Sequence, residues 1–138
     1  MPTTGYSGTP LAKKLGIKDS SSLQIINTPK PSLDFFIDFP PDTNIHTGSP
    51  VKEEVDFIHI FATIPEELKY AFNRVKPNLK KNGTLWISWP KKSSSISTEL
   101  DKSMVRNYGL ENELVDTKVA SIDADWSGHK FMFRLKDR

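Results

Sequence analysis

The feature that most limits how this chain can fold lies in its middle. Val55 to Ala62 (Val-Asp-Phe-Ile-His-Ile-Phe-Ala) is almost continuously apolar and rich in branched and aromatic residues, the composition of a strand buried on both faces. Thr84 to Trp89 (Thr-Leu-Trp-Ile-Ser-Trp), ended by Pro90, has the same character. Between them Leu68, Ala71, Phe72, Val75 and Leu79 recur at helical spacing opposite Lys69, Asn73, Lys76 and Lys80, which predicts an amphipathic helix. Thr63-Ile64-Pro65-Glu66 reads as its capping box, with Glu66 reaching back. Pro77 should perturb the last turn, and Asn82-Gly83 supplies the turn into the next strand. Two strands joined by one helix over so short a span make a right-handed parallel crossover if they share a sheet.

The flanking segments extend this unit in two ways. Thr9-Pro10 followed by Leu11-Ala12-Lys13-Lys14-Leu15-Gly16 reads as a short helix with Gly16 as its stop, preceded by an ordered loop at Gly5-Tyr6-Ser7-Gly8. Leu23 to Asn27 is the first strand, stopped by Thr28-Pro29. Pro31 to Ile37 could form one or two helical turns, broken by Phe39-Pro40-Pro41-Asp42, and residues 40–54 read as loop with a brief edge strand at Asn44-Ile45-His46-Thr47. Lys91 to Ser97 is a polar, flexible loop. Ser97 or Thr98 can cap a helix carrying Leu100, Met104, Val105 and Tyr108, with Gly109 as its stop. Leu114 to Ile122 and the alternating Phe131, Phe133 and Leu135 then form a hairpin through Asp123 to Gly128. The expected fold is α/β, a single domain over 1–138: a small three-layer, Rossmann-like mixed sheet of about five strands ending in an antiparallel hairpin. Residues 1–22 supply the N-terminal loop and short helix, 23–109 the α/β core, and 110–138 the hairpin.

Composition removes several function classes. The chain has no cysteine, which excludes disulfide scaffolds and thiolate metal sites and suits a reducing, cytoplasmic setting. No apolar run approaches the ~20 residues of a membrane span, and the first residues lack a signal-peptide pattern. The net charge of +2 conceals a segregation. From Leu68 to Thr98 there is no acid, while Lys69, Arg74, Lys76, Lys80, Lys81, Lys91 and Lys92 are all basic. Glu99 to Asp125 reverses the sign. A basic middle admits nucleic-acid binding as an alternative function, with an affinity that falls steeply with salt.

Asp56-Phe57-Ile58-His59-Ile60-Phe61, the helix to Leu79, and Lys80-Lys81-Asn82-Gly83-Thr84-Leu85-Trp86-Ile87-Ser88 resemble the fourth and fifth strand region of class I methyltransferases. The terminal hairpin is similar to the antiparallel end of that sheet. Gly5 to Gly16, Trp86-Ile87-Ser88-Trp89-Pro90-Lys91-Lys92 and Trp126-Ser127-Gly128-His129-Lys130-Phe131 also resemble a family of short bacterial proteins to which no activity is attached. The resemblance implies a truncated class I methyltransferase-like fold. In that fold the S-adenosylmethionine site needs a glycine-rich turn after the first strand and an acidic residue ending the second. Here the turn reads Asn27-Thr28-Pro29-Lys30-Pro31-Ser32, and the chain is too short for regular second and third strands before Val55. No cofactor is therefore expected, and the reading is a non-enzymatic or vestigial domain.

Ligands of open α/β sheets sit outside the carboxyl ends of the strands. Those ends carry Asn27, Thr28, Thr63, Ser88, Trp89, Lys91 and Lys92. A helix N-terminus at Thr63 with two nearby lysines would suit an anion, and Trp89 could stack on a ring. The expected occupant is a small anionic ligand or a protein partner. An enzyme with a non-standard site would instead gather Asn27, Thr63, Trp89, His129 and a carboxylate in one place. His46, His59 and His129 share no metal-ligand spacing. His59 reads as a core histidine with one satisfied hydrogen bond, and Asp123 and Asp125 read as turn formers.

Overall fold

The computed structural model describes residues 11–29, 40–47 and 53–138. The expected loop at 5–8, the caps at Thr9-Pro10 and the helical turns at 31–37 lie outside them. Helix α1 (Leu11–Lys14) leads to strands β1 (Ser22–Ile26), β2 (Asn44–Thr47) and β3 (Val55–Phe61). Helix α2 (Pro65–Val75) and a 3-10 turn (Lys76–Asn78) connect to β4 (Leu79–Pro90), followed by α3 (Lys102–Glu111), β5 (Leu114–Ser121) and β6 (Trp126–Phe133). The six strands form one mixed sheet in the order β2-β1-β3-β4-β6-β5. The first three neighbouring pairs are parallel and the last two antiparallel.

Two layers cover the sheet. On one face Ile58, Ile60, Leu85, Ile87, Trp89, Phe131 and Phe133 pack with Leu68, Ala71, Phe72 and Val75 of α2 and Val105 of α3. On the other, Leu23, Ile25, Phe57, Phe61, Trp86 and Trp126 pack with Ala12, Leu15 and Ile17. The Trp86 Nε1–H donates to the Leu15 carbonyl at 3.0 Å, fastening the N-terminal segment to the sheet. Gly16 has φ +86°, the left-handed stop its position implies.

Several expectations change. The sheet has six strands, because Asn44–Thr47 pairs in parallel with β1 as a true second strand. A second strand before Val55 is therefore present. Pro77 perturbs the last turn as expected, with α2 closing at Val75 and the 3-10 turn Lys76–Asn78 following, since proline has no N–H for the helix ladder. Asn82-Gly83 lies inside β4, where Leu79 faces Val55 and Thr84 faces Phe57, so the extra residues form a bulge. Gly83 is required there because a Cβ would lie 2.8 Å from the Asp56 carbonyl oxygen. The cap of α2 is displaced by one residue: Ile64 is the N-cap, and Glu67, not Glu66, accepts from the Thr63 backbone N–H at 2.8 Å. Asp101 caps α3, accepting from the Met104 N–H at 2.9 Å. Gly109 does not stop α3 but lies within it, with Phe131 seated where its side chain would be. Leu135 stands 80% exposed beyond β6 instead of continuing the hairpin's apolar face.

The core holds one polar pair. His59 Nε2 and Ser88 Oγ share a hydrogen bond of 2.6 Å on adjacent strands, both residues at zero exposure. Burial pushes the His59 pKa down to about 3, because a charged imidazolium has no water to solvate it.

Two outcomes follow. Gly109→Ala should lower stability in urea by about 1–3 kcal/mol through overpacking against Phe131, and Phe131→Leu should recover part of that loss. A Gly109→Ala protein as stable as the parent would contradict the packing. Since the folded His59 value lies below the ordinary one near 6.5, its contribution to stability is complete above pH ~6.5. That contribution declines at up to about 1.4 kcal/mol per pH unit as pH falls toward 3. Urea midpoints between pH ~6.5 and ~4.5 should show this slope, and His59→Gln should flatten it; an unchanged slope would remove His59 as its source.

Candidate functional site

The chain leaves β1 for β2 on one side of the sheet and returns to β3 on the other, so the strand order reverses between β1 and β3. The crevice at their carboxyl ends is where such sheets receive ligands. Asn27 and Thr28 follow β1 there, and Thr63 follows β3. Asn27 is exposed with φ +61°, so a single asparagine makes the tight turn. The Thr28 Oγ1 is buried with no hydrogen-bond partner among the described residues. A buried hydroxyl left this way is costly.

The other predicted site residues separate from these. Ser88 points its hydroxyl into the core toward His59, on the face covered by the N-terminal segment. Trp89 and His129 stand on the opposite face, both buried, with ring centroids 6.5 Å apart. Lys91 is turned toward the far edge of the sheet, its Nζ donating to Ser121 Oγ at 2.7 Å, while Lys92 is exposed. The arrangement thus brings Asn27, Thr28 and Thr63 to one crevice and pairs Trp89 with His129, without gathering all eight.

The serine-containing loop closes the ends of β4 and β6. Ser94 Oγ donates to Asp125 Oδ1 at 2.9 Å, Thr98 Oγ1 donates to the Thr63 carbonyl at 2.9 Å, and the Glu99 N–H donates to the same carbonyl at 2.8 Å. Leu100 inserts into one core layer and Ile96 packs against the other. Polar content suggested a free loop, and its hydrogen bonds were not visible in its composition.

The charges at the crevice are less positive than the lysines imply. Glu66 and Glu67 occupy the first turn of α2, where the helix dipole favours acids, and Glu67 already holds the Thr63 amide. The basic stretch also divides. Lys76 pairs with Glu113 at 2.9 Å and Lys80 with Asp56 at 3.0 Å near the start of β4, while Lys91 and Lys92 follow its end, about 30 Å away along the strand.

A second polar group was missed from sequence because its members are distant. His129 Nε2–H donates to Asp116 Oδ2 at 3.3 Å, and Arg106 Nε–H donates to the same oxygen at 3.1 Å. Burial lowers the His129 pKa more than Asp116 raises it. Burial raises the Asp116 carboxyl, yet its hydrogen bonds from His129 and Arg106 leave it below the usual range. Asp123 forms the hairpin turn as expected, accepting from the Asp125 and Trp126 N–H groups, each at 2.8 Å. Among the described residues no cluster of three His, Asp or Glu suits a metal, and no helix is long and apolar enough to cross a membrane.

No family model matches the chain, and no curated protein does. Solved structures do. A SAM dependent methyltransferase from Aquifex aeolicus superposes with a TM-score of 0.62 at 13% identity, covering 90% of this chain and 88% of that one. The ribosomal protein L11 methylase from Lactobacillus delbrueckii subsp. bulgaricus gives 0.60 at 12%, covering 90% and 75%. The fibrillarin pre-rRNA processing protein of Methanococcus jannaschii gives 0.60 at 14%, covering 85% and 68%. Against that fold's cofactor contacts the residues present do not fit. The turn after β1 has Pro29, which lacks an N–H, and β2 ends at Thr47 followed by Gly48-Ser49-Pro50, with no carboxylate for the ribose hydroxyls. The chain therefore has the small Rossmann-like fold of the class I methyltransferases, with a first turn and a second-strand end that do not match S-adenosylmethionine.

Proposed function

We propose that this chain uses a class I methyltransferase-like sheet as a binding scaffold without methyl transfer, taking a small anionic ligand or a protein partner at the carboxyl ends of β1 and β3. The observation that carries it is the turn Asn27-Thr28-Pro29 itself, in which the glycines and amides of a cofactor turn are replaced and a buried threonine hydroxyl stays unsatisfied. Of the two occupants the protein partner is better supported. Glu66 and Glu67 offset the positive end of α2, and Lys91 is directed to Ser121, so a free anion finds little charge at the crevice. A partner's backbone N–H could instead satisfy Thr28 Oγ1. The reading extends to the short bacterial proteins that this chain resembles at Gly5 to Gly16, Trp86 to Lys92 and Trp126 to Phe131, and a chain free of cysteine suits a cytoplasmic setting.

Calorimetric titration with S-adenosylmethionine should give no saturable heat; a Kd tighter than about 100 μM, or methyl transfer to any acceptor, would overturn the proposal. Thr28→Val removes the unpartnered hydroxyl with nearly the same shape. Its urea stability should rise by about 1 kcal/mol, as expected for a polar group kept for a ligand rather than for the fold. A clear loss of stability would assign the hydroxyl to the fold and withdraw this support.

A further inference from the structure

Lys14, Lys18, Lys118 and Lys130 come from three separate stretches of chain and meet beside the N-terminal segment. Lys118 faces Lys130 across the β5–β6 pair. The Lys118 Nζ donates to the Lys14 carbonyl at 3.3 Å, and a Cβ built on Gly16 would lie 3.9 Å from the Lys130 Nζ. Burial first, and then the charges of Lys118 and Lys18, lower the pKa of Lys130, so these ammonium groups sense one another. Lys14 and Lys91 both bond Ser121, through its carbonyl at 3.1 Å and its hydroxyl at 2.7 Å. The group therefore continues as a band toward the carboxyl end of β4.

None of these lysines has a carboxylate within ion-pair distance among the described residues, whereas Lys76, Lys80 and Arg106 elsewhere are all paired. Lys69, Lys81 and Lys102 likewise have no such partner among the described residues, so what distinguishes these four is their convergence. Like charges gathered without neutralisation work against the compact state and raise the local potential by several kT. Such a surface suits a partner that itself carries repeated negative charge.

The chemistry around the band narrows that partner. Tyr70 is the exposed aromatic among the described residues, and it lies on α2 in the opposite layer, so among these residues the band has no platform on which unpaired bases could stack. Ile64 precedes α2 and Met104 lies on α3, while Val119 stands across from His129 on the α3 side. Leu135 lies beyond the end of β6, so among the described residues the band's own segments present no large apolar side chain of the kind that anchors a protein in a lipid surface. Compact ammonium charges without stacking or insertion match phosphates presented on a rigid backbone. We propose that the Lys14–Lys18–Lys118–Lys130 band docks the phosphate backbone of a nucleic-acid duplex. This surface is separate from the β1–β3 crevice and does not depend on what occupies it.

Fluorescence anisotropy with a labelled DNA duplex of about 20 base pairs tests it. With four phosphates neutralised, affinity should fall about 150-fold between about 50 and about 200 mM KCl, from a log–log slope near about −3.6. Replacing Lys18, Lys118 and Lys130 together by Gln should reduce that slope by about 2.7 and weaken binding at low salt at least about tenfold. The matching Lys→Arg triple variant should retain binding and serve as the folded control, and Lys69→Gln on α2 should leave it unchanged. No duplex binding at low salt, equal affinity in the Gln variant, preference for a single strand, or binding to phosphatidylserine vesicles alone would each overturn the proposal.

Discussion

Strand β3 is buried on both faces, and most of the remaining structure answers that constraint. Phe57 and Phe61 lie under the N-terminal segment, while Ile58 and Ile60 lie under α2. Each such side chain contributes about 1.5–3 kcal/mol when fully removed from water, so neither face can be left open. A parallel β4 follows because α2 returns the chain to the same end of the sheet, and β1 lies parallel on the other side of β3. The reversal of strand order then falls between β1 and β3, and the crevice at their ends arises from the packing before any ligand is considered.

Elements with a strong period were legible from sequence, and features set by distant contacts were not. The apolar runs at Val55 and Thr84 and the stripe of α2 carry their own signal. Gly109 resembles a helix stop by propensity alone, yet Phe131, far along the chain, makes glycine a packing requirement inside α3. The capping box at Thr63-Ile64-Pro65-Glu66 is a sound local pattern, but Glu67 is the residue that reaches the Thr63 amide. Strand β2, four residues long with partly exposed side chains, was legible as a brief edge strand at Asn44–Thr47, and only its parallel pairing with β1 needed the structure. The placement of Asn27, Thr28 and Thr63 at the carboxyl ends of β1 and β3 was legible because position after a strand suffices. Alternation separates Ser88 from Trp89, but only the tertiary structure reveals which face the helices cover. The Arg106–Asp116–His129 group joins α3, β5 and β6 and has no spacing to detect.

Closure of the sheet's carboxyl edge decides which part of it remains available. The segment from Lys91 to Leu100 lies across the ends of β4 and β6, tied to Thr63 on one side and Asp125 on the other. Its serine and threonine hydroxyls are engaged within the protein, and Leu100 and Ile96 give it an anchor in each layer. The end of β1 has no such cover among the described residues, and the unsatisfied Thr28 hydroxyl lies there. Burial of a polar group without a partner is tolerated where something external can supply one. The same fold thus buries Trp89 and His129 and leaves the β1–β3 end without that cover among the described residues.

Charge shows most clearly how the chain's order and its spatial arrangement differ. The acid-free stretch from Leu68 to Thr98 reads as one basic region, but β4 is long enough to carry its lysines to opposite ends, and Lys76 and Lys80 meet Glu113 and Asp56. Lysines that look unremarkable in sequence, from Lys14 to Lys130, converge because α1 packs beside the β5–β6 edge. Lys14 and Lys118 each donate to a backbone carbonyl there, one to the edge strand itself, and the β5 bulge between Asp116 and Lys118 interrupts the ladder. Lysines and bulges at an edge discourage another strand from pairing with it. The same ammonium groups therefore both protect the sheet edge and gather positive charge beside it, so a partner drawn by that charge meets ammonium groups and not an open strand.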